Sequence, residues 1–349
     1  MQHQDQAPVD LRSDTVTRPT PEMYERMRLA PIGDDGLDGD PSVQELEAAA
    51  AAVLGKDAGL FVPSCTMANL LAILAQSERT QQIVLESQSH IYTSESGSAT
   101  FTGLFYLGVA GVAGAMDLNG LEEALQAGGH KLRTALVAME TSHNNAAGAV
   151  LPLQHMQAVH TMASERGIGV HLDGARLFNA ATALGVAPAE IARYAGTVSL
   201  CLSKGLSAPV GAVLAGPQRL VDSARGLRRM LGGTQRQAGI MAAAGLAAIQ
   251  TMGPRLAQDH ARARRLSEGL NAIHPQLRAT EPQTNIIQVD VASTGSDSAA
   301  WLTALETAGV MARPRGKMRL RLVTHRHIED ADIERAIAAF ASVAAKLCR

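Results

Sequence analysis

The sequence predicts an α/β fold: a large domain with a mostly parallel sheet between helices, followed by a small C-terminal α+β domain. Two observations carry this. Short apolar runs recur between helical stretches from Val43 to Ala215, and a long helix then leads into a second group with only two strand-like runs. Residues 1–45 read as an irregular N-terminal arm with an active-site loop, because Pro19, Pro21, Pro31 and Pro41 interrupt them. The loop Gly33-Asp34-Asp35-Gly36-Leu37-Asp38-Gly39-Asp40 is acidic, but its spacing does not match an EF-hand, so a surface turn is expected and no metal. Residues 43–54 then form an alanine-rich helix, 59–62 a strand and 66–75 a helix. Further strands are expected at 83–86, 104–107, 135–139, 168–172, 197–202 and 212–215, with helices at 118–127, 153–166 and 188–194 among them. Helices at 217–231 and 238–249 close the large domain, 46–250. The small domain, 251–349, takes a helix at 254–273 and strands near 285–291 and 320–323. Helices at 299–308 and 328–346 cover them.

Composition narrows the function. Of 349 residues, 46% are apolar and 18% charged, an ordinary globular balance. The formal net charge of −2 gives no electrostatic case for nucleic acid or an anionic membrane. Cys65, Cys201 and Cys348 form no CxxC pair, which argues for a reducing cytoplasm and against a zinc site or disulfide framework. The first ten residues lack the apolar core of a signal peptide, and no apolar stretch reaches membrane-spanning length.

The chemistry begins with two strand ends. Asp173 closes the run Gly169-Val170-His171-Leu172-Asp173, and Lys204 follows the run Val198-Ser199-Leu200-Cys201-Leu202-Ser203. In a mostly parallel sheet, ligands collect at the carboxyl ends of strands. A lysine amine there can form a Schiff base with the aldehyde of pyridoxal phosphate (PLP), and a carboxylate can keep the pyridine nitrogen protonated. Ser64-Cys65-Thr66 joins a strand to a helix, and a helix amino terminus with nearby hydroxyls suits a phosphate. His90 and His143 each stand just beyond a strand, where an imidazole can stack on a pyridine ring or take a hydroxyl proton near neutral pH. His155, His160 and His260 read as helical surface instead. Arg176 lies three residues after Asp173, and alternation puts Arg319 and Arg321 on one strand face; either position offers a planar fork for a carboxylate.

Taken together the segments resemble the low-specificity L-threonine aldolases, within the fold-type I PLP enzymes. The resemblance runs from Asp10-Leu11-Arg12-Ser13-Asp14-Thr15-Val16-Thr17-Arg18-Pro19 through Gly33-Asp34-Asp35, Ser142-His143-Asn144 and His171-Leu172-Asp173-Gly174-Ala175-Arg176. It continues through Leu202-Ser203-Lys204-Gly205-Leu206 to Arg321-Leu322-Val323-Thr324-His325. It implies a fold-type I, transferase-like fold and a homotetramer whose active sites draw on two subunits. It further implies retro-aldol cleavage of threonine, allo-threonine and related β-hydroxy-α-amino acids to glycine and an aldehyde. Lys204 would carry the Schiff base, Asp173 would pair with the pyridine nitrogen, and His90 would stack on the ring. Ser64, Cys65, Thr66, Ser203 and Arg176 would belong to the cofactor site. Ser13, Arg176 and Arg321 would hold the substrate carboxylate. His90 or His143 would act as the base.

Several positions depart from the family pattern. Gly36-Leu37-Asp38 stands where Val-Tyr-Gly is common, Cys65 and Ser207 each replace a glycine, and Gly232-Gly233-Thr234-Gln235-Arg236-Gln237 replaces Gly-Gly-Gly-Met-Arg-Gln. A β-substituent larger than methyl, as in phenylserine, is one alternative. Another fold-type I activity, an aminotransferase or β-eliminating lyase, is a second, since Lys204 and Asp173 serve all of them. A PLP-binding protein without turnover is a third, against which Lys204, Asp173, Arg176 and Arg321 together argue.

Overall fold

The computed structural model describes residues 7–95, 97–126, 128 and 131–348. They form two compact units, one from residues 18–254 and one from residues up to Thr17 together with Arg255 onward.

The larger unit is built on seven strands: β1 (Ala58–Val62), β2 (Gln82–Glu86), β3 (Phe105–Val109), β4 (Thr134–Glu140), β5 (Gly169–Gly174), β6 (Thr197–Cys201) and β7 (Ala212–Gly216). Their order in the sheet is β1-β7-β6-β5-β4-β2-β3. Only β7 runs antiparallel, to β1 and to β6; the other pairings are parallel. Every residue of β2, β6 and β7 is buried, so both faces of the sheet are covered. That double burial is why these strands read as unbroken apolar runs rather than alternating ones. On one side Leu60, Val62, Cys201 and Leu214 pack with Leu71 of helix Cys65–Leu74 and Val221 of helix Gln218–Met230. The expected helix at 118–127 is Leu118–Leu125, and Ala127 lies outside the described residues.

The arm is more ordered than its prolines suggest. Pro21–Leu29 is an α-helix, Asp14–Val16 a 3₁₀ turn and Val9–Asp10 a short strand paired in parallel with Val310–Met311. Thr20 caps the helix, its Oγ1 accepting the Met23 N–H at 3.2 Å, and Pro21 occupies the first turn, where its missing N–H costs nothing. The acidic loop is also partly buried. Asp40 Oδ1 accepts N–H bonds from Ser42 and Val43, while its Oδ2 accepts those of Gly33 and Gly239. Asp35 pairs with buried Arg228 at 2.7 Å.

The second unit carries a four-stranded antiparallel sheet, with β8 (Arg278–Ala279), β9 (Ile286–Asp290), β10 (Arg313–Pro314) and β11 (Arg319–Val323) in the order β8-β9-β11-β10. Helices Leu256–Ile273, Ser298–Thr307 and Asp330–Leu347 belong to it. Its core is apolar and centred on Trp301 and Phe340, whose rings lie 6.1 Å apart. His260, expected on a helical surface, is buried on helix Leu256–Ile273, and burial depresses its pKa to about 4.

Candidate active site

Four charged residues gather at the carboxyl ends of four neighbouring strands: Glu86 on β2, Glu140 on β4, Asp173 on β5 and Lys204 just past β6. Strands β5 and β6 pair in parallel register, Asp173 opposite Ser199 and Gly174 opposite Leu200. Asp173 is 2% exposed. Its Oδ1 accepts the Ala175 N–H at 3.0 Å and its Oδ2 accepts Asn69 Nδ2 at 3.0 Å. A buried carboxylate needs such donors, or a cation, to offset its lost hydration.

Asn69, on helix Cys65–Leu74, is the hub of this network. Its Oδ1 accepts from Ser199 Oγ at 2.6 Å and bonds His171 Nε2 at 3.0 Å, while Nδ2 also reaches Glu95 Oε1 at 3.2 Å. His171 Nδ1 bonds Thr197 Oγ1 at 2.9 Å, and full burial drives its pKa down to about 4, so it acts as a neutral strut. Glu95 Oε1 in turn lies 2.9 Å from His90 Nδ1. The hydrogen bond to Glu95 raises the His90 pKa against the effect of its burial. Burial raises the Glu95 carboxyl, and Asp173 nearby adds to it. Imidazole, carboxylate, amide and carboxylate thus form a continuous chain from His90 to Asp173.

The two candidate histidines differ in access. His90 opens a short helix, His90–Thr93, and its side chain is 33% exposed. His143 is fully buried: Nε2 lies 3.1 Å from Glu86 Oε2 and 3.7 Å from Glu140 Oε2, while Nδ1 is buried without a hydrogen-bond partner among the described residues. Gly114, at φ +86°, packs on this ring so closely that a Cβ there would stand 2.7 Å from it. Burial opposes protonation of His143, but the bond to Glu86 and the charge of Glu140 outweigh it and raise the pKa.

Ser64 is the N-cap of helix Cys65–Leu74, its Oγ accepting the Met67 N–H at 3.2 Å. The helix begins one residue earlier than expected. Ser64 and Thr66 are exposed, whereas Cys65 is turned into the core, where its hydrogen bond with Cys201 and burial raise its thiol pKa. Its side chain therefore faces away from the hydroxyls on either side. Cys201 Sγ lies 3.6 Å from Ser203 Oγ. Arg176 is buried at the start of helix Leu177–Leu184, and its carbonyl accepts Ser142 Oγ at 3.2 Å. Lys204 is half-buried, and its pKa is raised: Cys201, Cys65 and Asp173 together outweigh burial and the Arg176 charge. Ser207 closes the lysine turn, donating its N–H to Lys204 O at 2.9 Å, and adopts φ +63°, the left-handed region that favours glycine.

Ser13 and Arg321 stand in the other unit. Ser13 is buried, and Arg321 Nη2 donates to Arg12 O at 3.1 Å. Arg319 is exposed beside Asp290, as strand alternation requires.

Asn69, His171, Ser199, Glu95, Glu86 and Glu140 were not among the sequence candidates. Glu86 and Glu140 carried the signal that marked Asp173, a charge closing an apolar strand; Asn69 showed as one amide in an otherwise apolar helix.

This donor set fits PLP: a buried carboxylate for a pyridinium nitrogen, an amine past the next strand for the aldehyde, and a helix amino terminus with hydroxyls for the phosphate. Comparison with known proteins agrees. Residues 10–294 match the model of the β-eliminating lyase family. A low-specificity L-threonine aldolase of Arabidopsis thaliana is 38% identical over 340 residues, covering 95% of each chain. The low specificity L-threonine aldolase of Escherichia coli K12 is 37% identical over 320 residues, 91% of this chain and 93% of that one. The threonine aldolase structure of Leishmania major superposes with a TM-score of 0.80 at 18% identity, over 97% of this chain and all of that one, which establishes a shared fold.

Proposed function

The chain belongs to the β-eliminating lyase family, and on that premise we propose that it is a PLP-dependent aldolase that cleaves L-threonine, L-allo-threonine and related β-hydroxy-α-amino acids to glycine and an aldehyde. One observation carries the reading most: His90, reachable from solvent, has its Nδ1 held by Glu95 beside buried Asp173.

Lys204 would hold the cofactor aldehyde, Asp173 the pyridine nitrogen and the Ser64-Cys65-Thr66 turn with Ser203 the phosphate, Cys65 through its main chain. His90 would cover the ring. When bound, the cofactor supplies a protonated ring that accepts the electron pair released at Cα as the Cα–Cβ bond breaks. The chain must then remove one proton from the β-hydroxyl. With Nδ1–H donated to Glu95, His90 Nε2 is left as the acceptor. His143 has no atom open to solvent, so we assign the direct transfer to His90. General-base help of this kind is worth about 10²–10⁴-fold. Arg176 is proposed for the substrate carboxylate, and Ser13 and Arg321 on the ground of the family resemblance. The same resemblance supports a cytoplasmic homotetramer. Tyr24, Leu29, Ile32 and Leu37 expose apolar surface for a further subunit to bury, and light scattering at four times the chain mass is the expected result.

The test is a panel of L-threonine, L-allo-threonine and phenylserine with PLP-loaded protein. Aldehyde and glycine in equal amounts from at least one, and none from Lys204→Ala, is the expected outcome. Aldehyde from none of them, with amino transfer to a keto acid instead, would refute the aldolase reading.

A further inference from the structure

Glu140 and Glu86 close β4 and β2, adjacent parallel strands, and both carboxylates are buried. Glu140 makes two main-chain contacts of an unusual kind. Its Oε2 accepts the His90 N–H at 2.6 Å and its Oε1 accepts the Asn144 N–H at 2.8 Å. Those two N–H groups belong to the two loops that carry His90 and His143. Glu86 reinforces the arrangement, its Oε2 accepting the Gln88 N–H at 2.7 Å and lying 3.1 Å from His143 Nε2. Charge-assisted bonds to main-chain N–H groups are short and directional, so one side chain sets where both loops begin. The His143 loop also holds Ser142 and Ala147 at φ +53° and +55°, non-glycine residues in the left-handed region. Such conformations persist only where surrounding contacts over-determine them.

Resting on the aldolase reading, we propose that Glu140 is a positioning residue for the proton transfer. Its carboxylate fixes the main chain of His90, and so the distance of that imidazole from the substrate hydroxyl. It also ties the His90 loop to the His143 loop, so that the two move together. Glu86 and Glu140 also hold the buried His143 ring, its Nε2 lying 3.1 Å from Glu86 Oε2 and 3.7 Å from Glu140 Oε2, so that this imidazole braces its loop.

Glu140→Gln keeps the shape but leaves one acceptor oxygen, so an amide NH₂ must face either His90 N–H or Asn144 N–H. Glu140→Asp keeps both acceptors on a shorter arm. In PLP-loaded full-length protein, Glu140→Gln is expected to lower kcat for aldehyde release by about 10²-fold, the scale of an ångström of misplacement. KM, PLP content and the absorbance of bound PLP should stay within about two-fold of wild type. Glu140→Asp should recover part of the lost kcat. A Glu140→Gln variant with wild-type kcat per bound PLP would overturn the proposal. So would one that loses PLP or melts early while kcat per bound PLP is kept, since that is a structural role alone. Wild-type protein without aldolase activity would instead sink the reading on which this inference rests, and the two failures are read from different samples.

Discussion

The carboxyl-end rim of the large sheet and the core of the small unit are built on opposite terms. In the small unit, Trp301, Phe340, Leu305, Leu320 and Leu322 pack apolar surface on apolar surface. At the rim, Glu86, Glu140, Asp173, His143 and Asn69 are equally buried but polar, and hydrogen bonds must offset what each lost on leaving water. The rim also holds Ser142, Ala147 and Ser207 in left-handed conformations. Buried polarity and strain concentrated in one place are what a reactive centre requires and what a purely structural core avoids. Changes at the rim should therefore alter chemistry, and changes in the small core should alter stability.

The largest effect expected is at Lys204. Lys204→Ala should abolish aldehyde release while leaving the denaturation midpoint near that of wild type; loss of folding instead would break the contrast. Next comes Trp301→Ala, which removes a fully buried ring and should lower unfolding free energy by about 3–5 kcal/mol, read from urea unfolding. Unaltered stability there would mean the small core is not organised around that ring.

The rim also makes a pH prediction. Glu95 raises the His90 pKa above its ordinary 6.5. A base must be neutral, so kcat/KM should rise with pH through that raised value, and Glu95→Gln should move this acid limb to lower pH. The same shift has a stability sign. His90's contribution is fully present below pH 6.5 and fades as pH rises through its folded-state value. An acid limb unmoved by Glu95→Gln would remove His90 as the titrating base.

How much of this was legible follows the same division. Asp173 and Lys204 stood out because a charge at the end of an apolar run is conspicuous. Glu86 and Glu140 carry that mark too, but which strand ends face each other depends on the order β1-β7-β6-β5-β4-β2-β3, and local pattern does not contain it. Asn69 becomes meaningful only once His171 and Asp173 of β5, Ser199 of β6 and Glu95 of a loop converge on it. The helix Pro21–Leu29 is hidden for a different reason: proline breaks a helix interior but suits its first turn, and Thr20-Pro21 is a helix start. The buried place of His260 comes from packing in the small unit and has no counterpart in its neighbours along the chain.

The smallest effect concerns Ser207, where the family pattern has glycine. Left-handed backbone costs a serine about 1–2 kcal/mol, and glycine's greater freedom when unfolded returns part of that. Ser207→Gly should therefore stabilise by about 0.5–1 kcal/mol in thermal unfolding. Destabilisation would show that the buried hydroxyl, which has no hydrogen-bond partner among the described residues, is needed there.

The most direct test of the central claim, that the strand ends of the large sheet form the cofactor site, is borohydride reduction of the PLP-treated protein followed by peptide mass mapping. The account predicts one reduced pyridoxyl-phosphate adduct per chain, on the peptide carrying Lys204. An adduct on Lys56, Lys131, Lys317 or Lys346 with Lys204 unmodified, or no adduct at all, would contradict it.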